Sequence, residues 1–330
     1  MRAIVITKPG GPEVLTLADR EPPVCGPTEV RVRVRAAGLN RADVIQRRGA
    51  YPAPPGVPAD VPGMEYAGEV IEVGAEAAGF EARLQPGDRV FGLVGGGAYA
   101  EEIVVDARTA ARIPARLSFV EAAAVPEAFI TAFDAMVVQG CLGRGDVALI
   151  HAAGSGVGTA ATQIARAIGA RAIGTSRSQP KLDRCRPLGL SDGIVTQDAR
   201  FAKEVLALTE GRGVDVVLDL VGGAYVPEDL ACAALRSRIL VVGLIGGAKA
   251  DLDLGLLLRK RAQLIGTTLR ARGLEEKIGV MDTFSREVVP RLTSGELGPV
   301  IDAVLPLAQA REAHVRMESN DPFGKIVLDV

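Results

Sequence analysis

The sequence predicts an α/β protein in which a parallel sheet, covered by helices on both faces, is set between two strand-rich segments. Three observations carry that prediction. At 330 residues the chain is longer than one hydrophobic core usually extends, so about two domains are expected. Short alternating apolar runs fill residues 1–122, helical spacing alternates with apolar strands over 123–266, and a helix followed by strands occupies 267–330. A glycine-rich turn, AAGSGVGT at 152–159, falls where an apolar run meets a helical one.

In the first segment VRVRV (30–34), EVIEV (69–73) and EEIVV (101–105) read as short strands, punctuated by the turn formers PGG, PGD and GGG. YPAPPGVPADVP (51–62) carries five prolines and reads as a stiff surface loop, because proline fixes its own torsion and restricts its predecessor. From residue 123, VPEAFITAFDAMVVQG (125–140) and TAATQIARAIG (159–169) place apolar residues at helical spacing and end on glycines suited to C-caps. VALI from 147, RAIGT from 171, DVVLDLV from 215, RILVVGL from 238 and QLIGTTL from 263 read as the strands between helices. Strand alternating with helix implies a parallel sheet buried on both faces. LEEKIGVMDTFSREVVPRL from 274 reads as helix, and VLPL (304–307) and GKIVLDV (324–330) read as strands.

Composition narrows the function. A net charge of -2 with 24% charged residues argues against disorder and against an electrostatic nucleic-acid binder. The absence of tryptophan and the 4% aromatic content argue against stacking platforms for bases or methylated tails. Small neutral or anionic ligands are the expected partners. The N-terminal apolar run breaks at Lys8 and Pro9, well short of a signal-peptide core, and no stretch approaches the roughly 20 apolar residues of a membrane span. A cytoplasmic location is expected. Cys25, Cys141, Cys185 and Cys232 form no C-x-x-C pair, which points to reduced thiols rather than a disulfide framework or a structural zinc site.

The glycine turn has the context of a dinucleotide site: a buried strand, a tight turn, and a helix whose free N–H groups and positive dipole end favour a pyrophosphate. Gly154, Ser155, Gly156, Val157 and Gly158 are the expected contacts, with Gly158 also admitting close helix–strand packing. Thr159 stands where the third glycine of G-x-G-x-x-G would fall. No Lys-Ser or Lys-Thr follows, against a P-loop, and the flanks of Ser155 do not fit a hydrolase elbow. At the end of the next strand an NAD enzyme wants an acidic residue on the ribose hydroxyls. Here Ser176 is followed by Arg177, with Lys181 one turn on, a set suited to the 2′-phosphate of NADPH. About 1.4 kcal/mol from such cations is a tenfold preference.

The motifs AAGLNRADVIQRRGAYP, PGMEYAGEVIEVG, PGDRVFGLVGGGAYAEE, HAAGSGVGTAATQIA, DLVGG, VVGLIGG and LRKRAQLIGTTLRAR run in order along nearly the whole chain. Together they resemble the medium-chain dehydrogenase/reductase superfamily, and within it the zinc-independent quinone oxidoreductase branch that includes zeta-crystallin. The resemblance implies a Rossmann-type doubly wound sheet, 123–266, inserted into a GroES-like β-barrel catalytic domain made of 1–122 and 267–330. It implies NADPH as cofactor, with Thr131 near the nicotinamide, Gly222 and Gly243 lining the dinucleotide site, and Lys325 approaching from FGKIV. It also implies a homodimer joined along the edge strand AQLIGTTL. Thr196 departs from relatives that carry a tyrosine near the adenosine phosphate.

Zinc-dependent relatives carry Cys where this chain has Asn40 and His where it has Met64, just before Glu65. A neutral amide and a thioether do not make a catalytic zinc site, so no metal is expected. His151 and His314 read as structural. Without a Lewis acid the substrate must already be electrophilic, as a small quinone is. Asn40 is expected to donate from its amide to the substrate oxygen and Tyr51 from its phenol, with proton relay, while Asp43 fixes Asn40 or the local backbone. Reduction of an enal or enone is the alternative within the same chemistry. A non-catalytic NADPH-binding redox sensor is the alternative of another class.

Overall fold

The strand Glu29–Leu39 buries Val30, Val32 and Val34 on one face and turns arginines outward between them, as period-two spacing requires. It is the spine of one of two compact units in the computed structural model, which describes residues 1–80 and 83–330. That unit comprises Met1–Ile130 and Leu269–Val330; the other is Thr131–Thr268. The divisions fall after residues 130 and 268, where periodicity placed them after 122 and 266. Residues 123–130 stay with the first unit, where the Glu127 amide donates to Glu65 Oε2.

In the first unit Glu29–Leu39 pairs antiparallel with Glu65–Val73. Its first half also pairs with Glu102–Asp106 and its second half with Lys325–Asp329. Glu65–Val73 leads on to Arg89–Leu93 and Ala110–Arg112, and Lys325–Asp329 pairs in parallel with Ile301–Pro306. This sheet encloses a core that includes Val32, Tyr66, Val90, Ile326 and Leu328. The register sets Gly38 opposite Glu65 and Leu39 opposite Ile326, so three strand ends meet at one place. The proline-rich stretch forms neither helix nor strand, as expected, but it is not wholly on the surface. Val61 and Pro62 are buried, and the Ala59 and Asp60 carbonyls accept hydrogen bonds from Gln46 and Ile6. The expected long helix from 274 is divided into Leu274–Glu287 and Val289–Ser294, with Pro290 in the first turn of the second.

The second unit is a six-stranded, all-parallel sheet: β1 (Val147–Ile150), β2 (Arg171–Ser176), β3 (Leu190–Val195), β4 (Val214–Asp219), β5 (Ala233–Val241) and β6 (Gln263–Gly266). The spatial order is β3-β2-β1-β4-β5-β6, which reverses direction between β1 and β4. Ligands of such sheets bind outside the strand ends at that reversal. The sequence reading missed β3, LSDGIV, because only Leu190 and Ile194 are buried and the polar residues between them hide the pattern. Helix α1 (Gly156–Ile168) follows β1 and stops at Gly169, whose left-handed backbone (φ 85°) suits glycine. Pro126–Ile130 and Asp134–Gln139 are helical, as expected, but wound as π-turns. Among the described residues no helix is long and apolar enough to cross a membrane.

Gly38 shows how little room the meeting strand ends leave. A Cβ there would lie 2.2 Å from Glu65 Oε1 and 2.5 Å from the Ala123 carbonyl. Gly38→Ala is therefore expected to destabilise the protein by about 1–3 kcal/mol, measured as a lower midpoint in urea with unchanged slope.

Candidate functional site

In the first unit the converging strands deliver a buried polar cluster. Asn40 follows Glu29–Leu39 and caps the helix Arg41–Arg47, Glu65 opens its strand, and Lys325 opens its own. Lys325 Nζ donates to Glu65 Oε1 (2.6 Å), Asn40 Oδ1 (2.6 Å) and the Leu39 carbonyl (2.7 Å), which occupies all three of its protons. Asn40 Nδ2 donates to Glu65 Oε1 (2.9 Å) and, at 3.4 Å, to the Gly38 carbonyl. The ammonium of Lys325 and the side-chain amide of Asn40 are thus bonded to each other and to Glu65.

Asp43 is fully buried and accepts from the amides of Asn40 (2.8 Å) and Gly63 (3.1 Å) and from the Tyr99 hydroxyl (3.2 Å). These bonds tie the Asp43 carboxylate to the backbone at Asn40 and Gly63. Burial pushes its carboxyl up to about 6, against the pull of those amides and of Lys325 and Arg270. Burial and the Asp43 charge likewise hold the Tyr99 phenol well above its usual range.

Arg270, buried in the same unit, donates to the Gly95 carbonyl (2.7 Å), the Tyr51 carbonyl (3.2 Å) and Gln46 Oε1 (2.5 Å). Its guanidinium lies 4.8 Å from the Tyr51 ring centroid. Tyr51 is thus pinned through its backbone and ring face by a cation that acts electrostatically on Asp43 and Glu127 as well. Arg270 was present in the sequence motif but unassigned. Nothing in the sequence signals that this arginine, one of several nearby, is the buried one.

In the second unit Ser155 caps α1, its Oγ accepting from the Gly158 amide at 3.0 Å. A Cβ on Gly158 would lie 2.4 Å from the Ala152 carbonyl and 2.7 Å from Ala153 Cα, so this glycine brings helix and strand together. Thr159 fits in the place of a glycine because its hydroxyl bonds the Gly156 carbonyl (2.9 Å). Ser155, Gly156 and Val157 are half-buried at the mouth of the helix, and Gly154 is buried beneath them. Asp219, at the end of β4, accepts from the amides of Val221 and Gly222 and shapes the next turn. Gly222 there has φ 69°, and a Cβ on Gly243 would lie 2.5 Å from the Leu220 carbonyl. Thr131 Oγ1 is buried without a hydrogen-bond partner. Ser176 ends β2 with its Oγ accepting from the Ser178 amide, Arg177 is exposed and Lys181 half-buried. Thr196 is buried, with its hydroxyl unpartnered.

Behind this turn His151 bonds Thr175 Oγ1 (2.8 Å) and Asp229 Oδ1 (2.6 Å), between the rings of Phe201 and Tyr225. Burial lowers the imidazole to about 4 and raises Asp229 well above the carboxylate range, which favours the uncharged form of each. His151, Asp219 and Asp229 are the one cluster among the described residues whose donor atoms lie close enough to suit an ion. A 2.6 Å nitrogen–oxygen contact is a hydrogen bond and leaves no place for an ion between the two atoms. His314 is also structural: it is buried and meets Arg47 at 3.2 Å.

Residues 26–115 match the alcohol dehydrogenase GroES-like domain and residues 156–286 match the zinc-binding dehydrogenase domain. A quinone oxidoreductase of Pseudomonas aeruginosa is 35% identical over 320 residues, spanning 97% of this chain and 96% of that protein. The chain belongs to the quinone oxidoreductases of the medium-chain dehydrogenase/reductase superfamily. It is an oxidoreductase with the Rossmann-type and GroES-like parts that this membership entails. The structure of Escherichia coli quinone oxidoreductase complexed with NADPH is 29% identical with a TM-score of 0.88, and that of an NAD-dependent alcohol dehydrogenase is 35% identical with a TM-score of 0.86. Each covers 100% of both chains.

Although one matched domain is described as zinc-binding, the residues here do not fit a catalytic zinc. Asn40 and Met64 stand at the ligand positions, Met64 is buried, and the adjacent Glu65 is paired with an ammonium. A nicotinamide cofactor fits the second unit better. The half-buried N-terminus of α1 beside the strand-order reversal suits the anionic part of such a ligand.

Lys325 and Glu65 form a fully desolvated ion pair, so removing one member strands the other. Lys325→Met is expected to cost about 3–5 kcal/mol. Adding Glu65→Gln to Lys325→Met should recover part of that loss, giving a coupling of about 1–3 kcal/mol in a denaturation double-mutant cycle.

Proposed function

We propose that this chain is an NADPH-dependent reductase of small quinones that transfers hydride without a metal. The observation that carries the reading is the replacement of a metal-ligand set by the hydrogen-bonded group of Asn40, Lys325 and Glu65, which limits the substrate to one already electrophilic. The quinone oxidoreductase relatives support the acceptor class. The end of β2, with Ser176 and an exposed Arg177 in place of a carboxylate, supports NADPH over NADH, with Lys181 on the next turn. When bound, NADPH supplies the hydride.

In this reading the second unit is the NADPH-binding domain. Gly154, Ser155, Gly156, Val157 and Gly158 receive the pyrophosphate, and Thr131, Gly222 and Gly243 line the rest. The first unit is catalytic. Tyr51 donates from its phenol to the oxygen that gains charge, held in place by Arg270, while Asp43 and Asn40 position the surrounding backbone. We extend the proposal to a homodimer joined along β6. Its outer edge is unpaired within the sheet and its Leu264 is 41% exposed, a liability that pairing with a second copy removes.

The test follows loss of near-ultraviolet NADPH absorbance, with NADH in parallel, over ortho-quinones, para-quinones and enones in chelator. Quinone-dependent oxidation favouring NADPH is expected. Oxidation with enones alone would move the enzyme to activated double bonds, and cofactor binding without turnover would make it a sensor. Arg177→Ala should weaken NADPH about tenfold and leave NADH unchanged. Tyr51→Phe should lower turnover several-fold with the Kd for NADPH unaltered, as read by fluorescence titration.

A further inference from the structure

Hydride delivery to a quinone leaves a hydroquinone anion that still needs a proton. The first unit contains a carboxyl suited to hold one. Glu127 lies on the π-turn Pro126–Ile130, its amide anchored to Glu65 Oε2 at 2.7 Å. Its Oε2 is buried with no hydrogen-bond partner. The residue as a whole is only partly covered.

The groups that face it are Glu65 and Asp43, which repel its negative charge, and Lys325 and Arg270, which attract it. Those two carboxyls and two cations already balance. They are also satisfied: Glu65 accepts from Lys325, Asn40 and the Glu127 amide, and Asp43 accepts from two amides and the Tyr99 hydroxyl. A charge on Glu127 would be a third negative charge with a bare buried oxygen. Desolvation and Glu65 accordingly push this carboxyl up to about 8.

We propose that Glu127 stores the proton that the reduced substrate takes up, an inference that rests on the reductase reading. The O–H bond of the Glu127 carboxyl breaks as an O–H bond forms on the hydroquinone oxygen. The two electrons and the other hydrogen have come as hydride from NADPH. Water then returns a proton to the Glu127 carboxylate, and the group is reset. Tyr51 donates a hydrogen bond in this scheme, and Glu127 gives the proton.

The experiment uses the full-length protein with Glu127→Gln, which keeps the amide anchor and the side-chain volume. The apo protein is titrated by infrared difference spectroscopy. A protonated-carboxyl band that fades near pH 8 is expected in the wild type and not in the variant, separate from the Asp43 band that fades near 6. With NADPH and the best quinone of the panel, turnover of the wild type should fall above pH about 8. The variant should be about 100-fold slower and flat across that range. Glu127→Asp, which retains an acid, should restore part of the rate. An active wild type with a variant of equal rate and equal pH profile would overturn the role of Glu127 alone, as would a band that survives in Glu127→Gln. A wild type silent toward every acceptor would overturn the reductase reading itself.

Discussion

A single ammonium organises the first unit. Lys325 reaches across the ends of three strands to bond the last carbonyl of one, the first carboxylate of another and the side-chain oxygen of Asn40, the residue that precedes the next helix. Taking these charges out of water costs several kcal/mol per ion, and only a saturated set of partners offsets it. That requirement fixes geometry more than it adds stability. Every proton of Lys325 has one acceptor, so Asn40 has one orientation, while its backbone amide and the Tyr99 hydroxyl hold Asp43. Tyr51 is held by a parallel device, a buried guanidinium under its ring and on its carbonyl.

The two units solve different electrostatic problems. In the second, burial lowers the His151 imidazole and raises the Asp229 carboxyl, so their contact favours the uncharged forms. The first unit keeps its charges and balances them, so protonation of one carboxyl depends on the state of its neighbours. A site that must accept an anion suits the second arrangement, and a site that must move a proton suits the first.

The parts of the fold set by periodicity were legible. Five strands of the parallel sheet, α1 and its glycine cap, and the alternating strands of the first segment all follow from apolar spacing. β3 escaped because its inward face is interrupted by Ser191, Asp192 and Gly193. The glycine turn was legible because its requirement is local, and Gly158 takes the packing role that its position implies. The buried polar cluster of the first unit was not legible as a cluster. Lys325, Glu65, Glu127 and Arg270 come from four distant stretches of sequence, and no local spacing records that a lysine will spend its protons on an asparagine. The bond between Lys325 and Asn40 could not be read from sequence for that one reason.

The first unit is built from both sides of the second, and this orders events during synthesis. Residues 131–268 are contiguous, so the parallel sheet can close as soon as they have left the ribosome. The strand Lys325–Asp329, which lies between Glu29–Leu39 and Ile301–Pro306, is translated long after the first of these. Until then Asp43, Glu65 and Arg270 have no balanced interior to enter and must remain hydrated. The first unit can therefore close only last, and the arrival of the Lys325 ammonium completes the charge balance of its interior.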